Sequence, residues 1–343
     1  MPMRIEAETR YSVVVPVYNE EESLLELGRR LSAALDELDG PSEVVLVDDG
    51  STDATPALLT ELERRDERFR VVRLSRNFGH QVAITAGLDY ARGAAIVVMD
   101  ADLQHPPEVI HRLVERWREG YDVVYAVAEE HERASWFKRR SAEAFYRLIR
   151  RVAKVDMPLG AGDFRLIDRR VRDAFTSMRE RHRYVRGMFA WIGFRQTGVL
   201  YRSPARFGGR SKYTLKAMTR LAADAVFSFS QEPLLLVIKA GLAVSILSFL
   251  FGFATLVSKL AGAYNAPGYV SIVVVLAFVG GIQLVVLGFM GQYTARIFEE
   301  VKRRPLYIVD DGARLADGGG GNGSLEARLP ELVVPESLLP PTQ

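Results

Sequence analysis

Short apolar runs alternate with amphipathic stretches from Tyr11 to Ala126, and that alternation sets the first expectations. Five runs have the length and β-branched character of buried strands: Tyr11–Val15, Val44–Val47, Val71–Leu74, Ala95–Met99 and Val123–Ala126. Between the first two, Leu24, Leu27, Leu31, Leu35 and Leu38 recur at helical spacing and predict a helix with one apolar face. Asn19 and Glu22 have the form of a capping box at its start. Further helices are predicted from Pro56 to Arg65, from His80 to Arg92 with Gly93 as the stop, and from Pro107 to Gly120. Repeats of this kind give an α/β fold, a mostly parallel sheet covered by helices. Its loops gather at the carboxyl ends of the strands, where ligands bind in open sheets.

Past Glu129 the pattern changes. The stretch to Val155 is strongly basic and helical in spacing, and Gly160-Ala161-Gly162-Asp163 then reads as a glycine-rich turn before a helix near Asp168–Met178. Arg206–Tyr213 is polar. Thr214–Phe229 sets Leu215, Met218, Leu221, Ala225 and Phe229 against Lys216 and Arg220, which suits a helix lying on a membrane surface or one facing a core. Two apolar spans follow, Ala240–Val257 and Tyr269–Met290, each near the roughly 20 residues needed to cross a bilayer.

Lys212, Lys216 and Arg220 precede these spans and Arg296, Lys302, Arg303 and Arg304 follow them, while the turn Ala261–Gly268 carries no charge. The positive-inside rule puts both outer flanks in the cytoplasm. Gln283 inside the second span suits a bond to another helix. Gly241, Gly280, Gly281, Gly288 and Gly291 allow close helix packing within one chain or in a homo-oligomer. Beyond Asp310 the composition is that of a disordered tail.

Composition narrows the classes. Among 343 residues, 45 basic and 43 acidic side chains leave a net charge of +2, so nothing demands a nucleic-acid partner. Cysteine is absent, which excludes disulfides and thiolate metal sites. The first twenty residues lack the long apolar run of a secretory signal peptide, so the soluble part is expected to stay where it is made. No Gly-x-Gly-x-x-Gly follows the first strand, which sets aside a dinucleotide oxidoreductase. Of the histidines, His80 and His105 sit inside the segments RNFGHQ and DADLQHPPE and suit the lining of a substrate pocket. His111, His131 and His182 read as surface residues, and no spacing suggests zinc.

The candidate chemistry lies at strand ends. Asp100-Ala101-Asp102 directly follows an apolar run, and two carboxylates there can converge on a hard cation such as Mg²⁺ or Mn²⁺. Gln104 can add a carbonyl oxygen or orient a metal-bound water. Asp48-Asp49-Gly50-Ser51 ends another run, and reads either as an acceptor for a base or ribose or as a tight turn. Pro16-Val17-Tyr18-Asn19-Glu20 ends the first. A parallel sheet brings these acidic ends to one rim, where they repel unless a cation and hydrogen-bond donors share the space.

PVYNEE, DDGSTD, RNFGHQ and DADLQHPPE, in that order, resemble family-two glycosyltransferases of the GT-A fold. GDFRLIDR, RFGGRSKY and the paired apolar spans narrow the resemblance to polyprenyl-phosphate glycosyltransferases, similar to bacterial bactoprenol glucosyltransferases and dolichol-phosphate mannose synthase. A Gln-x-x-Arg-Trp segment is lacking, unlike processive polysaccharide synthases. The resemblance implies a GT-A Rossmann-like sheet and inverting transfer from a nucleotide-sugar, with a lean to uridine, onto a polyprenyl phosphate. It implies that Pro16, Tyr18 and Glu20 frame the nucleoside and that Asp48 bonds the base. Asp100, Asp102 and Gln104 match the metal and diphosphate site, and Arg139 matches an arginine near the donor phosphates. Arg206 or Arg210, with Lys212, would hold the acceptor phosphate. Asp163 either faces the acceptor, aligns sugar hydroxyls or caps a turn.

The expected organisation is a cytoplasmic catalytic domain over residues 1–212, an amphipathic juxtamembrane segment over 213–233 and a two-helix transmembrane hairpin over 234–295. A basic segment over 296–310 and a disordered tail over 311–343 complete it. Both termini would be cytoplasmic, at the inner membrane, among its lipids. Two rival readings are transfer to another lipid hydroxyl and an inactive, membrane-tethered nucleotide-sugar binding subunit.

Overall fold

The computed structural model describes residues 9–129, 161–202, 232–261 and 268–310. Seven strands form one mixed sheet in the order β3-β2-β1-β4-β6-β5-β7. They are β1 Tyr11–Val17, β2 Ser42–Asp48, β3 Phe69–Arg73, β4 Ala95–Val98, β5 Val123–Ala128, β6 Ala161–Asp168 and β7 Gln196–Tyr201. β6 runs antiparallel to β4 and β5, and the other pairings are parallel.

Strand periodicity sorts the valines to two cores. Val13, Val15 and Val17 of β1 face α1 (Leu24–Asp36), α2 (Thr55–Arg65) and α4 (Ile110–Arg118) through Leu27, Leu31, Leu59 and Leu113. Val14 points the other way, with Val45, Val47, Ile96 and Val98, toward α3 (His80–Tyr90), α5 (Arg169–Ser177) and α6 (Val185–Trp191). Helices therefore cover both faces. Gly87 lets α3 approach closely, because a Cβ there would run into the Val14 side chain.

Two expectations are corrected and one strand is new. Where a glycine-rich turn is expected, Ala161–Asp163 open β6, a strand that the buried polar residues Asp163 and Arg165 disguise. The capping box does not form: α1 starts at Leu24 after Ser23, without a side-chain cap. Asn19, at φ 52°, instead bridges to the neighbouring loop, its Oδ1 accepting from Thr52 N–H at 2.8 Å. β7 was not foreseen, since Gln196–Tyr201 is a sheet edge with alternate residues exposed.

Two long helices close the described chain, α7 (Glu232–Leu260) and α8 (Tyr269–Val301). Large apolar side chains stand exposed along both, among them Leu242, Phe249, Phe251, Leu276, Leu284 and Leu287. Among the described residues, Phe278–Val301 is the one helix long and apolar enough to cross a membrane. After α8 the chain returns to the sheet domain. Val309 bridges Leu74, Ser75 N–H donates to the Ile308 carbonyl, and Tyr307 Oη donates to Asp89 at 2.8 Å.

One surface charge cluster gives a pH-dependent prediction. Arg68 grips Asp66 through hydrogen bonds as short as 2.7 Å, and this holds the carboxyl down at about 2. A carboxyl depressed in the folded state stabilises it above the ordinary aspartate range and ceases to do so as pH falls toward 2. Asp66→Asn should therefore cost about 1–2 kcal/mol at pH 7, allowing for partial exposure, and almost nothing near pH 2. Denaturant titrations at the two pH values would show it.

Candidate active site

The sheet register builds the site. Val98 pairs with Arg165 across antiparallel β4 and β6, so the residues after Val98 and those before Arg165 run to the same edge. Asp100 and Asp163 meet there. On the other side of β4, Val17 pairs with Asp48, bringing the ends of β1 and β2 to the same rim. The acidic strand ends expected on one edge are thus on one edge.

His80, the first residue of α3, lies between the two aspartates. Its Nε2 is 3.5 Å from Asp100 Oδ1 and 3.4 Å from Asp163 Oδ2. Burial opposes charge on this ring, but the hydrogen bond to Asp163 and the charges of Asp100 and Asp163 outweigh it and push its pKa up to about 9. The carboxylate field that holds a proton on His80 is the field that would draw a divalent cation.

Ligand atoms of His80, Asp100 and Asp163 lie within 4.8 Å of one another. They are not equivalent. Asp163 is 2 % exposed, and Arg186 occupies both its oxygens, Nε to Oδ1 and Nη2 to Oδ2, each at 2.9 Å. Burial works against that carboxylate, yet Arg186 and His80 hold it ionised well below the usual range. Asp100 Oδ1, by contrast, is a buried oxygen with no hydrogen-bond partner. With only the His80 ring near it, 3.5 Å away and beyond hydrogen-bond contact, this hard oxygen fits a hard cation.

The Asp100–Gln104 loop is pinned from below. Asp100 N–H donates to His105 Nδ1 at 2.9 Å, so Nε2 carries the proton when that ring is neutral. The His105 ring stacks on Phe164 at 5.0 Å and meets Tyr201 edge-on. Leu103 turns the loop at φ 62°, and Asp102 Oδ1 accepts from Gln104 N–H at 3.1 Å.

The neighbouring rim is equally ordered. Asp48 is buried, and its Oδ1 accepts from Ser51 N–H. Asp49 faces the RNFGH loop and accepts from Phe78 N–H at 2.7 Å and Gly79 N–H at 2.9 Å. Burial raises its pKa in spite of those two donors. Gly50, at φ 72°, is required here. A Cβ would lie 2.6 Å from the Arg76 carbonyl carbon and 2.7 Å from the Asn77 nitrogen. Pro16 is buried in β1, and Tyr18 and Glu20 are half-buried just beyond it.

Arg139, Arg206, Arg210 and Lys212 lie outside the described residues, as do the amphipathic stretch at 214–229 and the tail from 311. Sequence reasoning missed Arg186 and Arg165. Arg165 is 1 % exposed, its guanidinium set against the rings of Tyr125 and Phe189. No local pattern marks either, because their partners are on other elements or inside an unrecognised strand.

The model for Glycosyl transferase family 2 matches residues 12–175. Over 300 residues the chain is 45% identical to the uncharacterized glycosyltransferase YkcC of Bacillus subtilis (strain 168), covering 88% of this chain and 93% of that one. Over 305 residues it is 35% identical to the SfII prophage-derived bactoprenol glucosyl transferase of Shigella flexneri, covering 89% and 99%. Among solved structures, glucosyl-3-phosphoglycerate synthase from Mycobacterium tuberculosis, with Mn²⁺, UDP-glucose and phosphoglyceric acid, is 22% identical. It covers 64% of this chain and 79% of its own, at a TM-score of 0.44. The family match and the two sequence relatives define a glycosyltransferase. The chain belongs to glycosyl transferase family 2, and bactoprenol glucosyl transferases are among its near-full-length relatives.

Proposed function

We propose that the chain transfers a sugar, with inversion, from a nucleotide-sugar such as a UDP-hexose to a polyprenyl phosphate at the cytoplasmic face of the inner membrane. The observation that carries this reading is Asp100 Oδ1, buried and without a hydrogen-bond partner at the carboxyl edge of the sheet, in a chain similar over nearly its whole length to bactoprenol glucosyl transferases.

Asp100, Asp102 and Gln104 would hold Mg²⁺ or Mn²⁺. When bound, such an ion neutralises charge developing on a departing diphosphate. Pro16, Tyr18 and Glu20 frame the nucleoside, and Asp48 accepts from the base. Arg139 steadies the donor phosphates, while Arg206 or Arg210, with Lys212, receives the acceptor phosphate. These cations let two anionic substrates approach one another.

The nucleophile is a phosphate oxygen. With a second pKa of about 6 it is largely ionised near pH 7, so a strong general base is not needed. That agrees with Asp163, whose two oxygens are already taken up by Arg186. Transfer to a lipid hydroxyl would ask more of this carboxylate than its surroundings favour. Asp163 then serves the reaction by holding charge at the reacting edge.

Residues 1–212 form the catalytic domain, 213–233 the juxtamembrane segment and 234–295 a hairpin of two spans. The basic 296–310 segment and both termini are cytoplasmic, and 311–343 is a tail. The exposed apolar side chains of α7 and α8 support burial in lipid rather than water. A prenyl tail costs about 0.8 kcal/mol per methylene to withdraw from a bilayer, so an anchored enzyme that meets only the phosphate is an economical arrangement.

The test is a panel of nucleotide-sugars offered to the purified full chain with undecaprenyl phosphate, with and without chelator, read by mass spectrometry. One donor should give a prenyl-phosphate-sugar whose formation stops on chelation. No glycolipid from any donor would favour a binding subunit instead.

A further inference from the structure

We infer that Arg186 is a positioning residue that acts on Asp100 through Asp163 and His80. The inference rests on the reading of the Asp100 edge as the cation and diphosphate site. Arg186 meets Asp163 in a two-point fork, both bonds 2.9 Å long. Such a fork fixes the plane of a carboxylate as well as balancing its charge. So held, Asp163 Oδ2 lies 3.4 Å from His80 Nε2, and the same nitrogen stands 3.5 Å from Asp100 Oδ1. Arg186, Asp163, His80 and Asp100 thus form one line running from α6 through β6 and α3 to the end of β4.

Two further contacts say what Arg186 contributes. Val185 N–H donates to Gln81 Oε1 at 2.9 Å, tying the start of α6 to the start of α3 one residue away from Arg186 and His80. The line is therefore braced at both of its helical members. Arg165 Nη2 stands 3.6 Å from Asp163 Oδ1 inside the core, so a second positive charge already faces this carboxylate. What Arg186 adds is direction. A simple counter-charge could equally be an ammonium, whereas a two-point fork could not.

That difference decides the experiment, which uses the full chain in detergent. Arg186→Lys keeps the charge and gives up the fork. Mn²⁺ alone is titrated and the free ion followed by electron paramagnetic resonance, beside a melting curve and, in the glycolipid assay, kcat and KM for the donor. Arg186→Lys should melt close to wild type yet bind Mn²⁺ about tenfold or more weakly, the size of effect seen when a partner that orients a metal ligand is lost. Its kcat should fall by a similar factor.

Mn²⁺ binding and kcat both within about twofold of wild type would overturn the inference and leave Arg186 a counter-charge only. Should Arg186→Lys not fold, the neutral pair Asp163→Asn with Arg186→Gln replaces it. The same weakening is expected there, and unchanged Mn²⁺ binding would again overturn the inference. A wild-type protein that binds no Mn²⁺ contradicts the site reading itself, a result separable from any effect at Arg186.

Discussion

Asp100→Asn should abolish most turnover while leaving the fold as stable as before. The side chain stays the same size, and the backbone bond from Asp100 N–H to His105 Nδ1 does not depend on the carboxylate. What is lost is a negative oxygen that the protein leaves buried without a hydrogen-bond partner. The charge is faced by the His80 ring 3.5 Å away, and that ring keeps Asp163 as a partner when Asp100 is neutral, so the melting temperature should change little. For catalysis the effect is large. Loss of one preorganised electrostatic group at a reacting centre typically costs about 100- to 1,000-fold in kcat. The paired measurement is kcat in the glycolipid assay and a melting curve on the same preparation. A melting temperature that fell together with activity would make Asp100 a structural residue.

The largest stability effect is expected at Asp49, which the sequence presents as the twin of Asp48. Its two oxygens receive the backbone N–H groups of Phe78 and Gly79, and through them it shapes the loop that delivers His80. Asp49→Ala strands both donors in a half-buried place. At about 1–3 kcal/mol for each unsatisfied group, the loss should be roughly 2–5 kcal/mol. In a domain of this size that lowers the melting temperature by roughly 5–15 °C. Asp49→Asn should fall between, since an amide oxygen can accept one bond while its NH₂ faces the other donor. Calorimetry on the three proteins would order them. Equal melting temperatures for wild type and Asp49→Ala would show that the loop holds its shape without this residue.

The parts of the fold that were legible from the sequence are those built by one physical rule at a time. β1, β2, β4 and β5 stand where apolar runs placed them, because strands buried on both faces need unbroken hydrophobic stretches, while the edge strand β3 begins two residues before its run at Val71. β6 was hidden because it breaks that rule. Asp163 and Arg165 are buried charges compensated by Arg186, by the Gly162 carbonyl and by aromatic faces, and compensation across elements leaves no trace in local pattern. The capping box failed for a related reason. Asn19 had a better use bridging to Thr52 across the rim than capping its own helix. For the site, strand-end position was enough to bring Asp48 and Asp100 to one edge. The assignment of Asp49 to a loop anchor, and of Arg186 to Asp163, required the third dimension.

Transfer by this route depends on where a divalent ion sits when donor is present. Crystals of the full chain grown with Mn²⁺ and the donor found active in the glycolipid screen would be measured at the manganese edge. One anomalous peak is expected, bonded to the carboxylate of Asp100, touching the donor diphosphate and missing in Asp100→Asn. A peak elsewhere, or a donor bound in full with no peak beside Asp100, would contradict that route.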